Sequence, residues 1–129
     1  MLNKSGVKKT TLTAPKQILA NVPLQHSVGC IVPADLGVAV GSGKLVKAGT
    51  PIHIDLMNLQ TAVEKPAASK AMNAVLLHDV DVSDGNAANG TALIFGFVNV
   101  NRVDTDVAVL ITEAQAIEGA SALLTFLKA

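Results

Sequence analysis

The spacing of proline and glycine between residues 22 and 54, VPLQHSVGCIVPADLGVAVGSGKLVKAGTPIHI, limits the fold of this chain more than any other feature. Each apolar run in this stretch is interrupted after a few residues, which leaves no room for a helix of ordinary length. The pattern therefore predicts short strands joined by tight turns. In its second half we expect turns at 41–43 and 48–51, and strands at 44–47 and 52–54.

The β pattern returns after residue 72. In AVLLHDVDV, Val80 and Val82 alternate with Asp79 and Asp81, which predicts a strand with one apolar face and one wet face. The stretch before it, LMNLQTAVEKPAASK at 56–70, lacks such a pattern. We expect it to form an exposed excursion with at most one helical turn.

The strongest predicted strand is TALIFGFVNV at 91–100. Because it is apolar on both faces, we expect it to occupy a central position in a sheet. Gly96 interrupts the run, and a glycine inside a strand indicates a bulge or a close approach of another backbone.

The C-terminal stretch ITEAQAIEGASALLTFLKA predicts the only helix. Thr112 and Gln115 stand at capping-box spacing, and Gly119 is suited to the position after a helix end. These residues predict a short helix over 113–118 and a last strand over 122–127. The fold class is therefore predicted to be mainly β, made of short strands, with a short C-terminal helix.

Length and charge suggest one folded domain preceded by an arm. A chain of 129 residues, half of them hydrophobic, suits a single compact domain. Residues 1–20 are rich in lysine and threonine and lack periodicity, so we expect a basic arm there, extended or disordered, and a single β-rich domain over 21–129. Residues 1–16 contain four lysines and no acid, whereas the remainder has six basic and ten acidic residues. The asymmetry suggests that the arm binds an acidic surface.

Other partner classes find less support. The chain has three Phe and neither Tyr nor Trp, so it lacks the flat rings on which nucleic-acid bases stack, and we expect no nucleic-acid partner. No apolar run approaches the ~20 residues that span a bilayer, and no secretory signal is visible, so we expect no membrane association and synthesis in the cytoplasm. Cys30 is the only cysteine and has apolar flanks, which favours a buried structural thiol.

Three motifs that suggest chemistry fail on closer inspection. HDVDVSDGNAANG resembles a calcium loop, but Asp84 stands where glycine is required and Gly90 where glutamate closes the site. We therefore expect a turn between strands. VGSGKL resembles a phosphate-binding loop, but Leu45 follows the lysine where a hydroxyl would bind magnesium. The three histidines have no metal-ligand spacing. We expect no catalytic residue, no metal site and no cofactor, and thus not an enzyme.

The order of elements resembles a known family. After the basic arm come GKLVKAGTPI, then AVLLHDVDVSDGNAANGTALIFGFVNVNRV, then a short helix and a final strand. This order is similar to that of the lambda-type head decoration proteins of tailed bacteriophages, over residues 37–128. The shared features are a K-x-V-x-x-G-T-P turn, an A-V-L-L-x-D-V-D strand and a G-x-V-N strand.

The resemblance implies a β-clip-like core that assembles as a homotrimer on the outer surface of the virion. It would bind the major capsid protein and cement the shell after synthesis in the host cytoplasm. The N-terminal arm would dock on the capsid, with residues to about Pro23 continuing the contact. The arm residues so implicated are Lys4, Lys8, Lys9, Thr10, Thr11, Leu12, Pro15 and Lys16.

Two other functions stay open at this point. A small-molecule-binding or enzymatic β-clip domain would need polar side chains that converge in a pocket, for which the candidates are His53, Asp55, His78 and Asp79. A head fibre or adhesion module would usually carry heptads, collagen-like repeats or a second domain, and none is visible in the sequence.

Overall fold

The computed structural model describes residues 17–129, and within this range the protein is mainly β, as predicted. Two 3-10 turns, Ala34–Leu36 and Val100–Arg102, and one α-helix, α1 (Thr105–Gln115), accompany the strands. The eight strands of this part of the chain are β1 His26–Val32, β2 Val38–Val40, β3 Gly43–Val46, β4 Pro51–Ile52, β5 Ala74–Leu76, β6 Val80–Asp81, β7 Ala88–Asn99 and β8 Leu124–Leu127.

The long strand β7 organises the main sheet. The sheet has the order β1-β7-β5-β4, and β8 pairs in parallel with the C-terminal half of β7. The predicted central position of this strand is thus confirmed. The register shifts between His26–Phe95 and Ser27–Leu93, which leaves Ile94 as the extra residue of a bulge. Gly96, with φ of +156°, lies just beyond it and would place a Cβ only 3.4 Å from the Cβ of Gln25, so the glycine serves a close approach beside the bulge.

The second sheet has three strands in the order β2-β3-β6. Gly41, at φ of +61°, and Ser42 join β2 to β3, which confirms the turn predicted at 41–43. Val80 and Val82 are buried while Asp81 is exposed, which confirms the alternation predicted for this strand. β2 lies at the edge of the sheet, and all three of its residues are exposed.

The predicted position of the helix is wrong: α1 begins well before residue 113 and ends before 118. Asp104 is its N-cap residue, and Val107, Ile111 and Ala114 form its buried face. Thr112, expected at the N-terminus, lies inside the helix, where its hydroxyl donates to the carbonyl of Ala108 at 3.1 Å. The sequence 105–111 is rich in valine and isoleucine, which weakens the local helix signal, and the helix forms because its i, i+4, i+7 face meets the sheet.

The excursion at 56–70 contains no helix, so the helical turn considered before Pro66 is not formed. Residues 55–61 instead make two successive turns, with hydrogen bonds from Asn58 N to Asp55 O and from Thr61 N to Asn58 O, both 3.1 Å. Most of the excursion is exposed as expected, but Val63 is only 1% exposed and anchors it to the core.

Two hydrophobic cores cover the two faces of the main sheet. In β5, Val75 belongs to one and Leu76 to the other, as the period of two along a strand requires. The helix-side core consists of Ile18, Leu19, Ala48, Met72, Val75, Leu77, Leu93, Val98, Val103, Val107, Ile111, Ala114 and Leu124. The hairpin-side core consists of Cys30, Val32, Val46, Ile52, Ile54, Val63, Ala74, Leu76, Val80, Val82 and Ala92. In residues 17–129 no helix is long and apolar enough to cross a membrane.

Candidate functional site: the corner where the N-terminal segment joins the fold

The N-terminal segment enters the folded domain beside the end of β7. Ile18 is completely buried and Leu19 is 5% exposed. The backbone continues the sheet here: Asn99 N donates to Ile18 O and Ala20 N donates to Phe97 O, both at 2.8 Å. The last residues of the predicted arm thus belong to the folded domain, and the buried side chains of Ile18 and Leu19 are not available to another surface.

Both described ends of the chain meet at this corner. Arg102 Nη1 donates to Gln17 O at 3.4 Å. At the other end, Asn101 Nδ2 donates to Ala129 O at 3.1 Å. Asn99 Oδ1 accepts from Asn101 N at 3.1 Å and from Ala129 N at 3.2 Å. Because Asn99 is 4% exposed, these bonds satisfy a buried amide oxygen and tie the C-terminus to β7.

Two exposed basic residues lie at this corner. Arg102 and Lys128 are exposed there, next to the point at which the four lysines of residues 1–16 are attached. The arm residues predicted to contact a capsid, Lys4 through Lys16, lie outside the described residues. The structure therefore gives the attachment point of the predicted arm and leaves its docking residues as a prediction.

Lys47 forms an ion-pair network nearby. Its Nζ lies 3.1 Å from Asp106 Oδ2 and 3.2 Å from Asp104 Oδ2. The hydrogen bonds to Asp106 and Asp104, in that order of effect, raise the pKa of Lys47 above its usual value. The network connects the residue that follows β3 to the N-cap and first turn of α1, where carboxylates are favoured by the helix dipole.

The acidic turn that resembles a calcium loop uses its carboxylates to bind the backbone. Asp79 Oδ1 accepts from Ala48 N at 2.7 Å, Asp81 Oδ1 from Ser83 N at 2.9 Å and Asp84 Oδ1 from Asn86 N at 3.0 Å. The hydrogen bonds from the side chain and backbone of Ser83 lower the pKa of Asp81. Asp81 and Asp84 each close a local turn, and Asp79 binds the distant backbone of Ala48, so each carboxylate has a separate backbone partner. This geometry is that of a strand connection.

Three of the four polar candidates for a small-molecule site have separate backbone partners. His53 Nδ1 lies 2.8 Å from Ala71 O, Asp55 Oδ1 accepts from Met57 N at 3.0 Å, and Asp79 binds Ala48 as described above. His78 is exposed. Over residues 17–129, no group of three or more His, Cys, Asp and Glu side chains is placed to hold a metal ion.

Lys44 and Cys30 also have structural roles, in a hairpin and in a core respectively. Lys44 lies in β3, and its backbone N–H donates to Ser83 Oγ at 2.8 Å, so the GSGK stretch is a hairpin pinned to β6. Cys30 is 5% exposed in the hairpin-side core. Burial raises the pKa of its thiol, and a hydrogen bond from the Gly90 backbone partly opposes that rise, so the reactive thiolate is disfavoured.

A groove of about 340 Å³ separates the C-terminal half of α1 from the turn before β2. Its apolar lining includes Leu36, Val38, Leu110 and Ile117. Its ionisable lining residues are Asp35, Lys65 and Glu113. None of the four polar candidates from the sequence lines this groove.

Two features of this region were missed from the sequence. The sequence pattern assigns Ile18 and Leu19 to the arm, whereas both are buried in the fold. Two adjacent large apolar residues after a lysine- and threonine-rich stretch are a signal for packing on a core. Asn99, which organises both chain ends, has no distinguishing sequence pattern, since its role depends on residues 101 and 129 reaching it.

Comparison of the chain with protein-family models, with curated proteins and with solved structures found no match. The resemblance to lambda-type head decoration proteins stays a prediction based on the motifs above.

Proposed function

We propose that this protein is a capsid decoration, or cement, protein that binds the outer surface of an assembled phage head and stabilises the shell against internal DNA pressure. The observation that carries the proposal is the anchor at Ile18 and Leu19. It joins a segment of net charge +4 to the central strand of a domain whose remaining residues sum to −4.

The anchor suits a protein that must transmit load. A pull on the N-terminal segment would act on two backbone hydrogen bonds of 2.8 Å to β7 and on the buried side chain of Ile18. β7 is in turn paired with β1, β5 and β8. Tension between capsid and domain would therefore be distributed over the main sheet instead of a single loop.

The energetic basis of cementing needs no bond-making step. A ligand that binds the assembled lattice and not the free subunits stabilises the lattice by mass action. In a homotrimer, as the resemblance implies, three basic segments would bind together, and the high effective concentration would turn weak contacts into tight attachment. Ordering the segment on the shell costs part of this gain.

The direct test is cosedimentation with undecorated heads assembled from the major capsid protein of the same phage. The full chain should pellet with the heads, and deletion of residues 1–16 should abolish pelleting while leaving the thermal transition nearly unchanged, because the anchor at Ile18 is kept. Full-length protein that stays entirely in the supernatant would overturn the proposal.

A charge-reversal variant separates charge from length. Replacing Lys4, Lys8, Lys9 and Lys16 by Glu keeps the whole segment but changes its sign. We expect this variant to stay in the supernatant. A control variant in which Lys65 and Lys70, on the excursion, are replaced by Glu should pellet normally. Equal pelleting of both variants would show that the arm does not bind through its charge.

A further inference from the structure

The outer edge of β1, the end strand of the main sheet, presents backbone groups that the sheet does not use. Leu77 N, just after β5, donates to Thr91 O at 2.8 Å, so the backbone of Thr91 faces β5. Gly29 lies opposite Thr91 in the register of β1 and β7, and these two residues therefore form a pair without mutual hydrogen bonds. It follows that the N–H and C=O of Gly29, and by alternation those of Ser27, point to the open side of β1.

The excursion covers the C-terminal part of this edge. Val63 N donates to Ile31 O at 2.9 Å, which places the carbonyl of Ile31 on the same open side as that of Gly29, two residues earlier. Glu64 and His53 then exchange backbone hydrogen bonds of 3.0 and 2.8 Å just beyond β4. The excursion thus runs from one end of the main sheet to the other, and a further strand can pair with β1 only up to Gly29.

The segments that flank the open edge are uncharged. Residues 17–34 and 56–63 contain neither Lys, Arg, Asp nor Glu. Leu59 and Gly29 both line a shallow groove of about 390 Å³, and Met57, two residues before Leu59, is 95% exposed. Edge strands that stay free are usually protected by charged side chains, whereas the centres of protein interfaces are depleted of charge. This surface therefore has the composition of an interface.

A second copy of β1 fits the open edge by symmetry. Antiparallel pairing about a two-fold axis at Val28 places Ser27 opposite Gly29 of the second copy, and Gly29 opposite Ser27 of the second copy. Each such pair exchanges two hydrogen bonds, so the register uses all the outward backbone groups of both residues. A register centred on Gly29 would need Ile31, whose carbonyl is already bonded, and one centred on Ser27 would run beyond the start of β1.

We propose that β1 pairs in this register with β1 of a second copy of the chain, so that the main sheets of two copies join. A two-fold interface brings the same surface together from both sides, and an uncharged surface does so without like-charge repulsion. The contact doubles whatever assembly the chain forms through other surfaces, including the homotrimer that the resemblance implies. The proposal does not depend on binding to a capsid, and its test uses none.

The test is disulfide formation between copies of the full-length protein in the background Cys30→Ala, which removes the native thiol. In the proposed register the Cα atoms of the two Val28 residues lie about 4.5 Å apart, within disulfide range, whereas those of the two Ser27 residues lie roughly 8 Å apart, beyond it. Under mild oxidation Val28→Cys should therefore form covalent dimers about tenfold faster than the control Ser27→Cys, as quantified on a non-reducing gel. Equal rates in the two variants would overturn the proposal.

A charge on the edge tests the same contact without engineered cysteines. Gly29→Lys has room for its side chain, because no atom of the described residues lies within 4 Å of a Cβ at this position, so the thermal transition should change little. A lysine on an edge strand disfavours pairing with another strand, and the variant should halve the mass of the protein in sedimentation equilibrium. Ala39→Lys, on the exposed edge strand β2, is the matched control and should keep the wild-type mass. Equal masses for the wild type and Gly29→Lys would contradict pairing through β1.

Discussion

The two cores of this protein differ in which parts of the chain build them. The hairpin-side core uses residues between Cys30 and Ala92, all from the middle of the sequence. The helix-side core joins Ile18 near one end to Val98 and Leu124 near the other. Closing such long loops costs more entropy than closing short hairpins. The difference shows that the described ends of the chain, and with them the attachment point of the proposed capsid-binding segment, are fastened on the helix side.

The largest expected effects come from one leucine in each core. Leu93 on the helix side and Leu76 on the hairpin side are both 0% exposed and lie on adjacent strands. Replacing either by Ala should reduce the free energy of unfolding by about 3–5 kcal/mol, since it leaves a cavity in a packed interior. Urea unfolding followed by circular dichroism measures both.

The shape of these transitions tests whether the two cores are coupled. Because β5 and β7 contribute to both cores, each variant should unfold in a single cooperative step. A variant that loses one side of the sheet first and gives two separate transitions would show that the cores fold independently.

The variant Ile18→Ala tests whether the anchor stabilises the fold and holds the end of β7. We expect a loss of about 3 kcal/mol in unfolding free energy because a fully buried side chain is truncated. The amide of Asn99, which donates to Ile18 O, should at the same time exchange faster with solvent. Val22→Ala is the control, since Val22 is 50% exposed and should change stability little. Unchanged exchange at Asn99 in Ile18→Ala would mean that the segment does not hold the end of β7.

Alanine substitutions at two glycines with positive φ compare how tightly the helix-side core and the β2–β3 turn are packed. Gly49 has φ of +90°, and a Cβ there would lie 2.6 Å from Val103 Cγ1 in the helix-side core. Gly41 has φ of +61° with nothing within 4 Å. Gly41→Ala should therefore cost only the backbone strain, about 1–2 kcal/mol, and Gly49→Ala should cost about 1–3 kcal/mol more for overpacking. Equal losses in thermal unfolding would show that the helix moves freely to make room.

The smallest effect concerns Lys47 and the start of α1. The pKa of Lys47 is raised above the usual 10.5, so the folded state binds the proton on its amine more tightly than the unfolded state does. The stabilisation is complete below the unfolded pKa and is lost as the pH rises through the folded pKa. The wild type should therefore lose stability above about pH 10.5 more steeply than Lys47→Met, as measured by urea midpoints across this range. Parallel pH profiles of the wild type and Lys47→Met would show that the ion-pair network does not stabilise the start of α1.

The sequence by itself determined the local features of this fold. Proline and glycine limit backbone conformation wherever they occur, which is why the turn at 41–43 could be predicted without any partner. The apolar content of 91–100 required burial on both faces, and β7 is the central strand. The last strand, β8, falls within the predicted 122–127.

Only the tertiary structure decided the features that depend on distant partners. Residues 105–111 have β-branched side chains that favour strands locally, yet they form a helix because Val107 and Ile111 pack against the sheet. Ile18 and Leu19 belong to the fold because β7 extends beyond β1 and offers them a pairing edge. The groove beside α1 likewise exists only once the helix is in place. Local backbone preferences act over a few residues, whereas burial depends on which surfaces the whole chain brings together, and the second kind of information is not contained in any short stretch.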